Sequence, residues 1–314
     1  MRRAAAMLAA ALLWQSIPPP APSAVARAYL GAAIGILEAN HINRATVEWP
    51  ALTAWAEDRI AGARAGADVY PAIRGLLRAL GERHSFLLTA DQLRFDPKGA
   101  AASGTPAPMP AAELRDGRVG VVRLPGLLTV AADGPERAAR YSAMLRAALE
   151  RLDRAPLCGW IIDLRANDGG NMWPMLAGLD PLLGAPPFGF FVQSGRSPEP
   201  WGRFPGAARF GLAHAAAPLA VLVGPRTGSS GEMVAIAFAG RARTRSFGIP
   251  TAGLATVNRI FPLADGALLV VTVSAVRDRT GRDYRGAILP DAATTPEGAE
   301  TAAARWLFGR CAPR

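Results

Sequence analysis

An α/β core preceded by a small helical unit is the fold class this sequence predicts, and three observations carry it. Apolar residues recur at three- and four-residue spacing from Ala24 to about Leu88. Beyond Gly117, short β-rich runs alternate with amphipathic helical stretches. Two of those runs, Cys158–Leu164 and Leu219–Val223, are almost continuously apolar, the pattern of strands buried on both faces. With 314 residues, half of them hydrophobic and 19% charged, the chain can bury a sizeable core and is not globally disordered.

Taken in order, residues 1–23 read as a secretory signal peptide. Arg2 and Arg3 precede an apolar run from Ala4 to Trp14, then Pro18-Pro19-Pro20 and small residues. That run is too short to span a bilayer, which needs about 20 residues; an uncleaved membrane tether is the alternative. Residues 24–95 form the helical unit. Tyr29/Leu30, Ala33/Ile34 and Leu37 mark its first helix, Pro50 the first turn of a second reaching Ile60, and Ile73, Leu76/Leu77 and Leu80 a third closed by Gly81. Residues 96–116 are Pro/Gly/Ala-rich without a period and read as a linker or surface loop.

The α/β core occupies 117–310. Strands are expected at Val119–Leu124, Cys158–Leu164, Leu219–Val223, Thr244–Phe247 and Ala267–Ser274, the last entered through a hairpin turn at Ala264-Asp265-Gly266. Helices are expected at Glu136–Leu152, Met172–Leu183 and Ser229–Ala239.

Composition narrows the function. The net charge of +10 comes mostly from scattered arginines. No basic block interleaved with aromatics appears, so a nucleic-acid partner is not expected. Two cysteines and three histidines exclude a disulfide scaffold and make metal chemistry improbable, and nothing supports a nucleotide or flavin cofactor. Cys158 sits in an apolar strand and reads as a buried thiol rather than half of a bond with Cys311.

Three stretches carry chemistry. In AVLVGPRTGSSGEMVAIAF (220–238) a buried strand runs through a Gly-rich turn into a helix opened by two serines. A hydroxyl there faces free amides at the positive end of a helix dipole, suited to a nucleophile and its oxyanion. Ser229 and Glu232 equally fit an ordinary capping box. In IIDLRANDGGN (161–171) a strand delivers Asp163, Arg165, Asn167 and Gly169-Gly170 beyond its C-terminal end, where α/β sheets bind ligands. The bland alternative is a turn in which Asp163 and Arg165 pair for structural reasons. In LGERHSF (80–86), His84 sits in a polar loop after the third helix, either as a general base or as a capping histidine.

Together the ordered motifs G-x-x-H-S-F, D-L-R-x-N-x-G-G, S-S-G-E, F-G-I-P-T-A-G and the later Ile288-Leu289-Pro290-Asp291 resemble the C-terminal processing (tail-specific) serine peptidases and the related core of the tricorn protease, over roughly residues 45–295. The resemblance implies a crotonase/ClpP-like α/β core that cleaves peptide bonds. It maps the nucleophile to Ser229 and the oxyanion donors to the backbone of Ser230, Gly169 and Gly170. Processing peptidases use a lysine 25 residues past the serine; here that position is Leu254, which cannot accept a proton. The tricorn-like branch uses an upstream histidine, and His84 matches its place. Asn258 falls where a supporting glutamine often stands, and Glu232 and Asp278 are both candidates to steady the imidazole. The PDZ domain of processing peptidases has no counterpart here, so their tail specificity is not inherited.

The expected function is therefore an exported, periplasmic or extracellular serine endopeptidase acting on peptides or proteins without a cofactor. The alternative is a catalytically inactive peptide- or ligand-binding protein of the same fold, motivated by Leu254; an esterase-like hydrolase using the same pair is a third reading.

Overall fold

The computed structural model describes residues 20–93, 108–130, 132–202 and 210–311. The signal-peptide reading falls almost wholly on residues 1–19, outside the described residues, as does most of the expected linker.

The helical unit forms as its periodicity requires. Helix α1 (Ala24–Asn40) starts at Ser23, whose hydroxyl accepts from the Ala26 amide; α2 (Trp49–Asp58) carries Pro50 in its first turn; α3 (Tyr70–Ala79) ends before Gly81 at φ +73°. A short strand, β1 (Phe86–Leu88), follows. The core then runs β2 (Ala111–Arg115), β3 (Val119–Arg123), α4 (Gly134–Leu152), β4 (Gly159–Asp163), α5 (Met172–Leu183), β5 (Gly189–Val192), β6 (Glu199–Trp201) and β7 (Leu219–Val223). It closes with α6 (Ser230–Phe238), β8 (Thr244–Gly248), β9 (Thr256–Pro262), β10 (Leu268–Asp278), β11 (Asp283–Tyr284), β12 (Ala292–Ala293) and α7 (Ala299–Phe308).

Two sheets result. The first has the order β12-β8-β7-β4-β3-β2, parallel throughout except for β2 at its edge. Its faces are covered by α4, α5 and α6 on one side and α7 on the other, which is why β4 and β7 are buried at every position. The second is antiparallel and built on the long β10, which pairs with β1, β5, β9 and β11.

The helical unit does not close its own core. Leu30, Ile34, Ile73 and Leu76 share one apolar cluster with Leu87 of β1 and Leu269, Val271 and Val273 of β10. Each such side chain contributes about 1.5–3 kcal/mol by leaving water. Tyr29 and Tyr70 add hydroxyl donors to the Asp265 carboxylate at the β9–β10 turn, 2.7 Å each.

Two expectations are corrected. Ala111–Arg115, read as the end of the linker, is strand β2. It pairs with β3 through the three-residue turn Asp116-Gly117-Arg118, whose first two residues are at positive φ, and this turn compensates for a strand poor in β-formers. Cys158 is not a thiol: it is bonded to Cys311, with Cα atoms 4.8 Å apart. Packing of Ala303 and Leu307 against Ile161 and Ala220 returns the end of α7 to the start of β4, which brings the two cysteines together.

Candidate active site

Adjacent strands place the two chemical loops side by side. β4 and β7 pair in parallel, with Asp163 opposite Leu222, so the segments leaving their C-terminal ends start as neighbours. Thr227 Oγ1 donates to Leu164 O at 2.8 Å and Gly228 N to Asn167 O at 2.9 Å, which stitches the loops together. Asp163 and Arg165 form an ion pair (2.7 Å) that Arg165 extends to Glu300 of α7 at 3.3 Å. That pair is structural.

Ser229 precedes α6 at φ +50°, ψ −117°, a backbone conformation that L-residues avoid. Glu232 reaches back to the Ser229 amide (3.0 Å), but the Ser229 hydroxyl makes no capping hydrogen bond of its own. The serine therefore does not spend its side chain on the helix. Ser230 Oγ instead donates to Gly170 O at 2.5 Å and fixes the helix start against the double-glycine turn. Gly170, at φ +103°, has no room for a side chain: a Cβ there would lie 2.1 Å from Leu127 O. Gly169 lies against Ser229, yet its amide donates to Asn167 Oδ1 at 3.1 Å. Gly169 is thus removed from the expected oxyanion donors, because its N–H is already committed. The amides of Gly170 and Ser230 donate to nothing among the described residues.

His84 is buried, with 8% of its surface exposed. Its ring Nδ1 lies 2.7 Å from Thr256 Oγ1, its amide donates to Glu82 Oε2 at 2.6 Å, and its carbonyl accepts from Asn258 Nδ2 at 2.8 Å. Burial holds the imidazole below its ordinary pKa, against an opposing pull from the Glu82 charge. A neutral ring results. The other histidines have structural partners: the His41 ring sits 3.4 Å from Glu82, and His214 Nδ1 sits 2.8 Å from Asp153.

Ser229 and His84 belong to one network. Glu232 Oε2 accepts from both Ser229 N and Leu254 N (2.8 Å); Thr256 N donates to Leu254 O; and Thr256 Oγ1 meets the imidazole. No hydrogen bond joins the ring to the Ser229 hydroxyl among the described residues.

The supporting residues divide. Asn258 does hold His84, by its carbonyl, while its own Oδ1 accepts from Thr272 Oγ1. Glu232 does not steady the imidazole: it accepts from Ser229 N, Thr251 Oγ1, Gly253 N and Leu254 N and anchors the serine turn to the 251–254 loop. Burial pushes its carboxyl up despite these donors. Asp278 is also excluded. It accepts from Thr280, Arg282 and Tyr284, six residues along β10 from Thr272, or about 20 Å at strand rise. Leu254 packs beside Gly228, next to the serine.

Two residues were missed in the sequence. Glu82 accepts from the His84 and Ser85 amides and from Thr272, a local carboxylate-to-backbone pattern visible as an acid two positions before the histidine. Thr256 gave no local signal, because its strand went unrecognised.

A serine beyond the strand ends of a buried parallel sheet, joined by one network to a histidine before β1, agrees with the comparison to known families. The model of peptidase family S41 matches residues 118–294, and the chain belongs to that family. The family is one of peptidases, which implies protein or peptide substrates. The chain is similar to the nisin-resistance protein of Lactococcus lactis subsp. lactis, 26% identical over 299 residues, 92% of this chain and 88% of that one. Among solved structures it is similar to a lipoprotein from Streptococcus agalactiae (TM-score 0.80, 24% identity, covering 95% of this chain and 100% of that one). It also resembles the photosystem II D1 C-terminal processing protease (TM-score 0.64, 16% identity, 88% and 94% covered). At these identities the structural likenesses speak to the fold. The family read from the ordered motifs holds.

Proposed function

We propose that the protein is an exported serine endopeptidase in which Ser229 is the nucleophile and His84 the general base. The observation that carries this is a serine held at a strained backbone angle at the start of α6 and joined through Glu232, Leu254 and Thr256 to the ring of His84. The Ser229 proton passes to His84 Nε2 as Oγ attacks the scissile carbonyl. The developing oxyanion lies against the Ser230 and Gly170 amides, in the positive end of the α6 dipole. His84 then protonates the leaving amine, and water hydrolyses the acyl-enzyme by the same route in reverse. The neutral imidazole suits a base working near pH 7.

Export is supported by the N-terminal pattern of charge, apolar run and small residues, and by likeness to a streptococcal lipoprotein and to a nisin-resistance protein. No helix among the described residues is long and apolar enough to cross a membrane.

A fluorophosphonate probe tests the proposal. Labelling of the folded protein is expected, with Ser229→Ala abolishing it and His84→Ala reducing it by several orders of magnitude. A folded wild-type protein that takes up no probe, or a Ser229→Ala variant that still does, overturns it in favour of the binding-protein reading.

A further inference from the structure

We propose that the Thr256 hydroxyl orients His84 where a triad would use a carboxylate, accepting the ring's Nδ1–H and leaving Nε2 bare for the serine. This role rests on the Ser229–His84 reading above. Thr256 Oγ1 lies 2.7 Å from Nδ1. The threonine is itself held: it pairs with Ala275 of β10, its amide donates to Leu254 O at 2.8 Å, and β-branching leaves its side chain few rotamers. Two residues on, Asn258 grips the His84 carbonyl, so β9 holds both the backbone and the ring of the histidine.

The nearby carboxylates are occupied. Glu82 receives the His84 and Ser85 amides, Thr272 Oγ1 and the His41 ring, and Glu232 receives its four donors on the serine side. Neither hydrogen-bonds to the imidazole of His84.

The tautomer follows from what a base requires of the ring. A neutral imidazole carries one N–H. Placed on Nε2, that proton would occupy the lone pair with which a base takes the serine's proton, and the Thr256 hydroxyl would have to donate to Nδ1 instead. Placed on Nδ1, it meets Thr256 Oγ1, and the bare Nε2 is the atom a base requires. A hydroxyl partner also adds no charge, in keeping with a ring that stays neutral. Thr256 is a positioning residue, since it acts through His84.

The experiment is nitrogen NMR of protein labelled with 15N-histidine, in which only three imidazoles appear and His84→Gln assigns the one of interest. Above the ring's titration, the wild-type His84 is expected as the Nδ1–H tautomer. Thr256→Val, which keeps the shape and removes the oxygen, is expected to move it toward Nε2–H, and Thr256→Ser to restore it. In parallel, fluorophosphonate labelling should slow about tenfold or more in Thr256→Val and stay within about threefold of wild type in Thr256→Ser. An Nε2–H ring in the wild type, or a tautomer untouched by Thr256→Val, overturns the assignment whatever the labelling shows. Strong labelling unaffected by Thr256→Val overturns it while leaving the Ser229–His84 pair intact. The predicted tautomer behaviour in a protein that takes up no probe instead sinks the peptidase reading and leaves the Thr256–His84 contact standing.

Discussion

Replacing Ser229 by glycine should stabilise the protein relative to replacing it by alanine. Both changes remove the hydroxyl, so the comparison isolates the backbone at φ +50°, ψ −117°. A non-glycine residue in such a region carries about 1–3 kcal/mol of strain, which glycine relieves. Against this, glycine loses about 0.5–1 kcal/mol in chain entropy on folding. Removing a half-buried methyl costs roughly another 0.4 kcal/mol, about half the burial value of a CH2 group. The balance is about 1 kcal/mol in favour of glycine. For chains of roughly 150–250 residues that shifts Tm by about 2–4 °C, and by somewhat less in a longer one. Thermal and urea unfolding of the two variants, both expected to be unreactive toward a fluorophosphonate, measure it. A Ser229→Gly protein that is less stable than Ser229→Ala by about 1 kcal/mol or more would show that the serine is not strained and refute the reasoning.

Other expectations concern protonation and the covalent link. Because burial lowers the His84 pKa, the fluorophosphonate labelling rate should rise with pH through a midpoint below 6.5; a midpoint at or above 6.5 contradicts the buried, neutral imidazole. Burial raises the Glu82 carboxyl, but hydrogen bonds from His41, Ser85, the His84 amide and Thr272 outweigh it and bring the pKa to about 2, so Glu82 stays ionised in the folded chain below the 4.5 at which the unfolded chain protonates. Stability should therefore fall as pH drops from about 4.5 toward 2, and Glu82→Gln should flatten that slope in acid titrations followed by circular dichroism. Reducing the Cys158–Cys311 bond, which closes a separation of 153 residues, should remove about 5 kcal/mol by the chain-entropy estimate. A Tm unchanged by reductant, with two thiols titrating beforehand, would contradict the bond.

How much could be read from residues alone depended on whether the signal was local. The helical unit was legible because Leu30, Ile34 and Leu37, and Ile73, Leu76 and Leu77, repeat at the helical period. β4 and β7 were legible because sheets covered on both faces select continuous apolar runs. β9 was not: Thr256–Pro262 is buried at no position, since it borders the second sheet, and its polar residues face the histidine loop rather than a core. With β9 invisible, Thr256 had no reason to be noticed. The same limit explains Glu232 and Asp278. Spacing offered both as partners for the imidazole, and only three-dimensional placement shows that one serves the serine turn and the other the far end of β10. Cys158 was misread because its apolar surroundings suit a thiol equally well, and Cys311 returns only when α7 packs.

The two proposed reacting groups come from different parts of the chain, with His84 just past the helical unit and Ser229 in the turn after β7 of the parallel sheet, and their common framework is the β9–β10 hairpin with the loop before it. On the proposed mechanism, reactivity is thereby conditional on assembly. A nascent polypeptide whose leading helices have not yet docked holds an alcohol without its base, and an undocked variant would be inert even with every site residue intact. Loosening the Tyr29 and Tyr70 contacts to Asp265, more than 150 residues away along the chain from either tyrosine, would then silence the enzyme from a distance.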